Sequence, residues 1–435
     1  MNRRIAVVII CAIFAIPVTA AAQCTATYCF YLPIGIQGTW PTPSPDPSPT
    51  APPSVPPKAT PTAMPTATPA PSATPSPSTA PVGNTITWST AASYKESTSE
   101  AQSAVVGGKL YVFGGFDGTK SCCTPTDRSY VFDPTAGSQG AWTSIAPLPY
   151  KAGNGATGGG VTHAPMTTDG TDIFMAGGYI ASAPGSGQKF GTKQVWRYNV
   201  ASNSYTQLAD LPSQNRPNDN GNRAAGQIVY LNDQLHYIAG TNEARTVDVG
   251  DHYVLPRANT ATGWATSWIT KAALPNPRQH AAAVALNGKI YYIGGQWKHD
   301  GALVPQNDVH VYDPARDEWN QVADMPRPIN HASSSTFVMN DRIIVVAGQM
   351  NAGKAVNNVS AYDPATDSWS EMTPLPVSKH SGVAGVIGNT IYFTTGEGDS
   401  RSKTHKGVVS STPTMTQADA DGWSWSAMLA SILGE

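Results

Sequence analysis

Three histidines stand at similar places in the second half of the sequence, each shortly after a Leu-Pro or Met-Pro pair. His280, His331 and His380 follow their prolines by five, five and four residues, and His163 is a candidate fourth member. A histidine cluster is the usual donor set for a transition metal. The three histidines occupy corresponding positions in sequence repeats that are described below. If these repeats are arranged around an axis, such positions should stand well apart. In addition, no Asp or Glu occupies a matching position. We therefore expect these histidines to line a channel or to pack, and we expect no metal site and no cofactor.

A second set of candidate residues lies in polar segments that follow apolar strands. Aromatic rings can stack on a sugar face, while Arg–carboxylate combinations can bind hydroxyls or a carboxylate. Two such combinations are Glu243 with Arg245 and Glu397 with Arg401. No nucleophile elbow or phosphate loop occurs, so the sequence identifies no catalytic residue. The candidate ligand-binding residues are Tyr179, Glu243, Arg245, Trp297, His299, Gln349, Glu397 and Arg401.

The segments that carry these residues repeat along the chain. Six apolar strands end in a small pair whose last residue is glycine, at 48- to 63-residue intervals: Gly115, Gly178, Gly240, Gly295, Gly348 and Gly396. A polar loop and a second strand follow each pair, and several of these end in Tyr-Asp-Pro, as at Tyr312. A Trp and then Leu-Pro or Met-Pro complete the unit. Each unit thus reads as a small antiparallel sheet that gains a core only by stacking on its neighbours.

This unit resembles the kelch repeat in its Gly-Gly, Tyr-Asp-Pro, Trp and Leu-Pro elements. The resemblance implies an all-β fold, a six-bladed propeller of four-stranded antiparallel blades, with the loops after the glycine pairs gathered at one mouth of a central channel. Blade 3 departs most, since Tyr253 lacks Asp-Pro and its Trp position falls at Trp264 or Trp268. Blade 6 has Thr-Gly and no Tyr-Asp-Pro.

The way in which the ring closes has two solutions. The segment around Trp88 is typical of a fourth strand for a blade whose other strands lie at the C-terminal end. The segment 421–425, which contains two tryptophans, could instead complete blade 6. We favour closure by the N-terminal strand, and either route protects the edge strands.

The region before the repeats divides into three segments. Residues 1–22 are typical of a secretory signal peptide, with Arg3 and Arg4 ahead of an apolar run too short to span a bilayer. Residues 23–40 are a short apolar stretch, and residues 41–83 contain nearly half of the 37 prolines, which predicts a disordered or semi-rigid linker to a propeller over 84–435. We expect a secreted, cell-surface or periplasmic protein without an integral membrane span. Cys24, Cys29, Cys122 and Cys123 would then allow three disulfide pairings, which the sequence does not distinguish.

The composition argues against nucleic-acid binding. The net charge is −2 and only 13% of residues are charged, so no basic field exists for nucleic acid. We expect an extracellular recognition module for a glycan or protein, and the sequence leaves open whether it also has catalytic activity. The resemblance also allows a small-sugar enzyme similar to the N-acetylneuraminate mutarotases, with a Glu as acid–base group and an Arg for the carboxylate. A copper site like that of galactose oxidase, also a kelch propeller, is not expected, because the cysteines lack its context. The sequence does not indicate an oligomeric state.

Overall fold

The fold is built from six four-stranded antiparallel sheets. The computed structural model describes residues 84–121, 123–189, 191–214, 216, 219–299 and 302–410. These ranges include the short 3₁₀ turns Ser333–Ser335 and Asn351–Gly353. The expected all-β class and the four-stranded antiparallel blades are confirmed.

The strands of each sheet are given from the innermost outward. Blades 1 to 3 consist of Gln102–Val106, Lys109–Phe113, Ser129–Asp133 and Ala141–Ser144; Met166–Thr168, Asp172–Ala176, Val195–Asn199 and Ser204–Gln207; and Gln227–Leu231, Gln234–Ile238, His252–Pro256 and Ile269–Lys271. Blades 4 to 6 consist of Ala282–Leu286, Lys289–Ile293, Val309–Asp313 and Glu318–Val322; Thr336–Met339, Arg342–Gln349, Ala355–Asp363 and Ser368–Met372; and Val383–Ile387, Thr390–Thr394, Thr404–Val409 and Ile86–Ala91.

The innermost strands form a closed ring. Each one contacts the innermost strands of the two neighbouring blades, and that of blade 6 contacts that of blade 1. Together they line a channel of about 340 Å³. The blades are therefore arranged radially around one axis, as the repeat pattern predicted.

The N-terminal strand closes the ring. Ile86–Ala91 pairs antiparallel with Thr404–Val409, from Ile86 opposite Val409 to Ala91 opposite Thr404. This confirms the favoured closure. The competing segment 421–425 lies outside the described residues.

An aromatic residue in the outermost strand, or directly before it in blade 3, attaches each blade to the one before it. Its polar hydrogen is donated to a backbone carbonyl of the preceding blade or of the segment just beyond it, so a large ring fills the gap between two sheets while its polar atom is satisfied. Blade 3 uses Trp268, which settles the choice between its two candidates. The pairs are Trp142 with Ala92, Tyr205 with Ala146, Trp268 with Ala209, Trp319 with Ala272, Trp369 with Ala323 and Trp88 with Thr373.

The second glycine of each pair lets another segment approach the sheet closely. Gly295 has a φ of +101°, and a Cβ built on it would lie 2.6 Å from the carbonyl oxygen of Gln279. Both the positive φ and this short distance exclude a side chain at position 295. Gln279 lies three residues before the innermost strand of blade 4, so this glycine fixes the height at which the chain enters the channel wall.

Short strands extend the blades beyond these glycines and carry several of the predicted loop residues. They are Thr98–Ser99 with Phe116–Asp117; Val161–Thr162 with Tyr179–Ala181 and Gln188–Lys189; Arg223–Ala224 with Thr241–Asn242; and Gln296–Trp297 with Val304–Pro305.

Several sequence predictions fall outside this description. The signal peptide, the short apolar segment and the proline-rich linker all lie within residues 1–83. Of the four cysteines outside the predicted signal peptide, Cys123 alone is described, so their pairing stays a prediction. Across residues 84–410, as far as they are described, no helix has the length and apolar character needed to cross a membrane.

Candidate functional site

Six residues, one from each blade, form what we call the inner ring. Each lies just before an innermost strand and has a positive φ between 51° and 59°: Glu100, His163, Ala225, His280, His331 and Ser381. Backbone hydrogen bonds link neighbours, with the amide of His280 donating to Ala225 at 2.9 Å and that of Ser381 donating to His331 at 2.9 Å. The left-handed backbone is unfavourable for side chains other than Gly and Asn. Its repetition therefore indicates that the ring is imposed by the fold.

Three inner-ring histidines come together at the axis. One ring nitrogen from each of His163, His280 and His331 lies within 4.8 Å of those of the other two. The ring centroids of His280 and His331 are 4.4 Å apart, and those of His163 and His280 are 4.9 Å apart. The premise that matching histidines stand well apart is therefore wrong. The intervening side chains of Ala225 and Ser381 are small, which leaves room for the imidazoles to converge.

An acid accompanies the histidines, contrary to the second premise. Glu100 is the inner-ring residue of blade 1, and its carboxylate oxygens lie 3.5 Å from Nε2 of His163 and 3.5 Å from Nε2 of His331. The hydroxyl of Ser381 donates a hydrogen bond to the same carboxylate. Four of the six blades thus contribute a group that can bind a cation or transfer a proton.

The other nitrogen of each imidazole is held by the residue just before it. Nδ1 of His280 lies 2.8 Å from Oε1 of Gln279, and Nδ1 of His331 lies 2.9 Å from Oδ1 of Asn330. Both oxygens can only accept, so each Nδ1 carries the proton and each Nε2 presents its lone pair. Nδ1 of His163 likewise lies 3.0 Å from the hydroxyl of Thr162.

The amide groups that orient these imidazoles are themselves oriented. Nε2 of Gln279 donates to Asp248 at 2.8 Å, which leaves its oxygen facing His280. Nδ2 of Asn330 donates to Gln296 at 2.7 Å, which leaves its oxygen facing His331. The hydroxyl of Thr162 donates to the backbone carbonyl of Glu100 at 2.9 Å, so it accepts from His163. The tautomers of all three histidines are therefore fixed by the network.

Burial sets the charge of this cluster. Desolvation, with smaller contributions from the Arg245 and His299 charges, lowers the pKa of His163 to about 3. Burial lowers the pKa values of His280 and His331 well below the ordinary value, with the neighbouring histidines adding to the effect. Burial also raises the pKa of Glu100 to about 8, against the opposing hydrogen bond from Ser381. At neutral pH the imidazoles are therefore uncharged, with free electron pairs.

The cluster forms one wall of a cavity of about 240 Å³. Arg245 lies across it, its Nε donating to Nδ1 of His299 at 3.1 Å and its guanidinium 5.9 Å from the ring centroid of Tyr179. The wall combines one cation, two aromatic rings and three amides with the histidine–carboxyl cluster. Among the described residues its members are Glu100, Phe116, His163, Tyr179, Gln188, Arg245, His280, Gln296, His299, Leu303, His331 and Gln349.

The structure divides the predicted residues into two groups. Tyr179, Arg245, His299 and Gln349 meet His280 and His331 in the cavity. The remaining five do not line it: Glu243, Trp297, Glu397, Arg401 and His380.

Each of these five side chains has other contacts. Glu243 accepts from Asn222 at 2.9 Å and from Lys189 at 3.0 Å, and so is not paired with Arg245. Arg401 forms an ion pair of 2.6 Å with Glu397. Nε1 of Trp297 donates to Oδ1 of Asn276 at 3.1 Å, and this residue is 40% exposed.

His380 belongs to a different position from the one the sequence suggested. It precedes the inner ring by one residue, and Nδ1 of His380 lies 2.8 Å from the hydroxyl of Ser381. The four-residue spacing from Pro376, against five for His280 and His331, was the signal of this offset. Counting five residues from Pro376 reaches Ser381, the true inner-ring residue of blade 6.

The sequence interpretation missed other wall residues. Glu100 has no Leu-Pro ahead of it, since the closing strand precedes it, but it stands two residues before an innermost strand, as His280 does. Gln296 directly follows a glycine pair. Phe116 likewise follows Gly114 and Gly115 directly, whereas Gln188 and Leu303 carry no signal that separates them from ordinary loop residues.

Comparisons with known families agree with this fold. Residues 222–396 match the KLHDC2/KLHL20/DRC7 Kelch-repeats domain, and residues 97–149 match the Kelch motif. The solved structure of YjhT superposes with a TM-score of 0.57 at 16% identity and covers 75% of this chain and 98% of that one. At that identity the likeness shows the fold alone.

Two curated relatives represent the range of similar proteins. Kelch-like protein terF of Aspergillus terreus is 27% identical over 270 residues, which is 61% of this chain and 53% of the relative. N-acetylneuraminate epimerase 1 of Escherichia coli O6:H1 is 27% identical over 137 residues, or 29% of this chain and 35% of the relative. The chain thus spans about half of the length of the first relative and about a third of the second.

Proposed function

This chain belongs to the kelch-repeat family, and we propose that it is an extracellular recognition module that binds a carboxylate-bearing sugar at the end of a glycan. A kelch propeller supports a binding role in general. The observation that carries the finer proposal is the position of Arg245, which lies in the cavity beside Tyr179 and His299. The N-terminal segment, typical of a signal peptide, supports the extracellular location.

The wall of the cavity suits a small polar ligand. Arg245 places a positive guanidinium in the wall, which favours a carboxylate, and Tyr179 and Phe116 offer apolar surfaces for a sugar ring. Gln349 and Gln188 add amide donors and acceptors for hydroxyls. A volume of about 240 Å³ favours one terminal sugar over a longer chain.

A binding screen with a matched pair of variants tests this proposal. The full-length protein is screened on a glycan array and by thermal shift against free acidic and neutral sugars. We expect acidic sugars to stabilise the wild type, and Arg245→Gln to abolish that shift. Arg401→Gln, which removes a similar cation outside the cavity, should leave it unchanged. Loss of binding in Arg401→Gln alone, or no response to any sugar, would reject the proposal.

A second candidate is an enzyme that acts on a small sugar acid. It is supported by Glu100 and Arg245 lining the same cavity, a carboxyl and a guanidinium such as anomer interconversion requires. The partial similarity to an N-acetylneuraminate epimerase suggests the substrate to try first. NMR spectroscopy of freshly dissolved N-acetylneuraminate would show faster anomer equilibration with wild type and not with Glu100→Gln. Equal rates with and without protein would reject this candidate.

A further inference from the structure

We propose that His163, His280 and His331 form a binding site for one divalent transition-metal ion of the zinc type, with Glu100 beside its open coordination position. The inference concerns the axis of the propeller and does not depend on which ligand enters the cavity. It replaces the expectation of no metal site, which rested on the spacing argument corrected above.

The distances suit a metal after a small adjustment. For three nitrogens that all lie within 4.8 Å of one another, there is a point no more than about 2.8 Å from each (4.8/√3). Zinc–imidazole bonds are roughly 2.0 to 2.1 Å long. Each imidazole therefore needs to move inward by less than about 1 Å, and the small neighbours Ala225 and Ser381 do not obstruct that movement.

The hydrogen bonds around the cluster prepare the right atoms. A metal-binding histidine usually donates its other N–H to an oxygen, which fixes the ring and its tautomer. Gln279, Asn330 and Thr162 each supply that oxygen, from the same position relative to the histidine in three blades. Each of the three Nε2 atoms is thereby left with a free lone pair. Ordinary packing of histidines does not require this arrangement in all three.

The arrangement resembles a catalytic zinc site, which keeps one coordination position open, more than a structural site, in which all four ligands are protein groups. Three neutral protein ligands leave a fourth position for water or a ligand oxygen. Glu100, 3.5 Å from Nε2 of both His163 and His331, can occupy that position or accept a hydrogen bond from its water. Arg245, on another part of the same wall, would favour an anionic ligand on the ion. Imidazole donors select zinc, copper, iron or nickel over magnesium or calcium.

Metal binding is measured on the full-length protein without a histidine tag. After treatment with EDTA and its removal, Zn²⁺ is titrated by calorimetry, and Co²⁺ is added separately to record its visible absorption spectrum. We expect one Zn²⁺ per chain and the spectrum of a four- or five-coordinate Co²⁺ site. The variants are His280→Asn and His331→Asn, because asparagine tolerates the left-handed backbone better than most residues that have a side chain, and the variants should fold.

The variants and a control distinguish Zn²⁺ binding at this site from unspecific binding of Zn²⁺ to other histidines. His280→Asn and His331→Asn should each lose more than the roughly 10- to 100-fold in affinity expected for a change in the surrounding shell. His380→Asn, one residue off the inner ring, should bind Zn²⁺ as the wild type does. Stoichiometric binding that survives in the His280 and His331 variants, or no binding by a folded wild type, would overturn the proposal. Sugar binding by the metal-free protein is scored separately, so either proposal can fail alone.

Discussion

The carboxylate of Glu100 lies 3.5 Å from Nε2 of His331, although the two residues belong to blades 1 and 5. The contact spans the intervening blade 6, whose inner-ring residue Ser381 is small and also donates a hydrogen bond to Glu100. Such contacts form only when all six blades are in place, since each blade supplies a single inner-ring residue. The site is therefore complete only when the whole propeller has assembled.

Closure by the N-terminal strand predicts a large effect of a change at Ile86. This side chain is 3% exposed and packs in the core between blades 5 and 6. Ile86→Ala should lower the free energy of unfolding by about 2 to 4 kcal/mol. Thr87→Ala, whose side chain is exposed on the same strand, should change it by less than about 0.5 kcal/mol. Equal denaturation midpoints for the two variants would show that this strand does not close the ring.

The backbone conformation of the inner ring predicts opposite effects of the same substitution at two adjacent alanines. Ala225 has a φ of 52°, whereas Ala224 lies in a short strand. Replacing Ala225 by glycine relieves the strain of the positive φ. Replacing Ala224 by glycine relieves no such strain and only increases the conformational entropy of the unfolded chain. We expect Ala225→Gly to be more stable than Ala224→Gly by about 1 to 2 kcal/mol. Urea denaturation measures the difference, and the reverse order would argue against a left-handed ring.

The pair His236 and His252 in blade 3 predicts a loss of stability in acid. Nδ1 of His236 lies 3.0 Å from Nε2 of His252, and burial lowers their pKa values to about 3 and about 4. The unfolded chain binds protons near pH 6.5 and the folded chain does not. Stability should therefore be complete above pH 6.5 and fall as the pH drops toward 4.

A variant isolates this contribution from the other buried histidines. Lys271 and Asp317 are the charged groups that face His252, and Tyr312 packs against its ring. His252→Gln should flatten the stability curve between pH 6.5 and 4 by up to about 1.4 kcal/mol per pH unit. Thr270→Ala, exposed on the adjacent strand, should keep the wild-type slope. Identical slopes in all three proteins would reject the assignment.

Arg278 predicts a strong effect of removing a buried cation. It is fully buried and donates to the carbonyl oxygens of Gly294 at 2.6 Å and Asp308 at 3.1 Å. Arg278→Ala leaves these oxygens without their donor and creates a cavity, so we expect a loss of about 3 kcal/mol or more. Arg316→Ala, at an exposed turn, serves as the control and should be nearly neutral. A small effect at Arg278 would contradict the role assigned to it.

Much of the fold could be predicted because it depends on repeated local features. The glycine pairs and the outermost aromatics recur once per blade, and each has a direct structural reason, as Gly295 and Trp319 show. The closing strand was recognisable for the same reason, since Trp88 makes the contact that Trp319 makes in its own blade.

The site was less predictable because it depends on contacts between blades. Glu243 and Arg245 are close in sequence, yet they have different partners. Glu243 forms an ion pair with Lys189, whereas Arg245 donates a hydrogen bond to His299. The convergence of His163 and His280 depends on the small size of Ala225 between them, which no single repeat reveals. An offset of one residue, as at His380, is enough to remove a side chain from the cluster.

Diffraction at the zinc absorption edge tests the central claim that four blades bring their groups to one point on the axis. Crystals of the full-length protein soaked in ZnCl₂ should show one anomalous peak in the cavity, about 2.0 to 2.1 Å from a nitrogen of His163, His280 and His331. Glu100 should lie next to that peak. Imidazoles that face away from one another, with zinc bound elsewhere or not at all, would contradict the account.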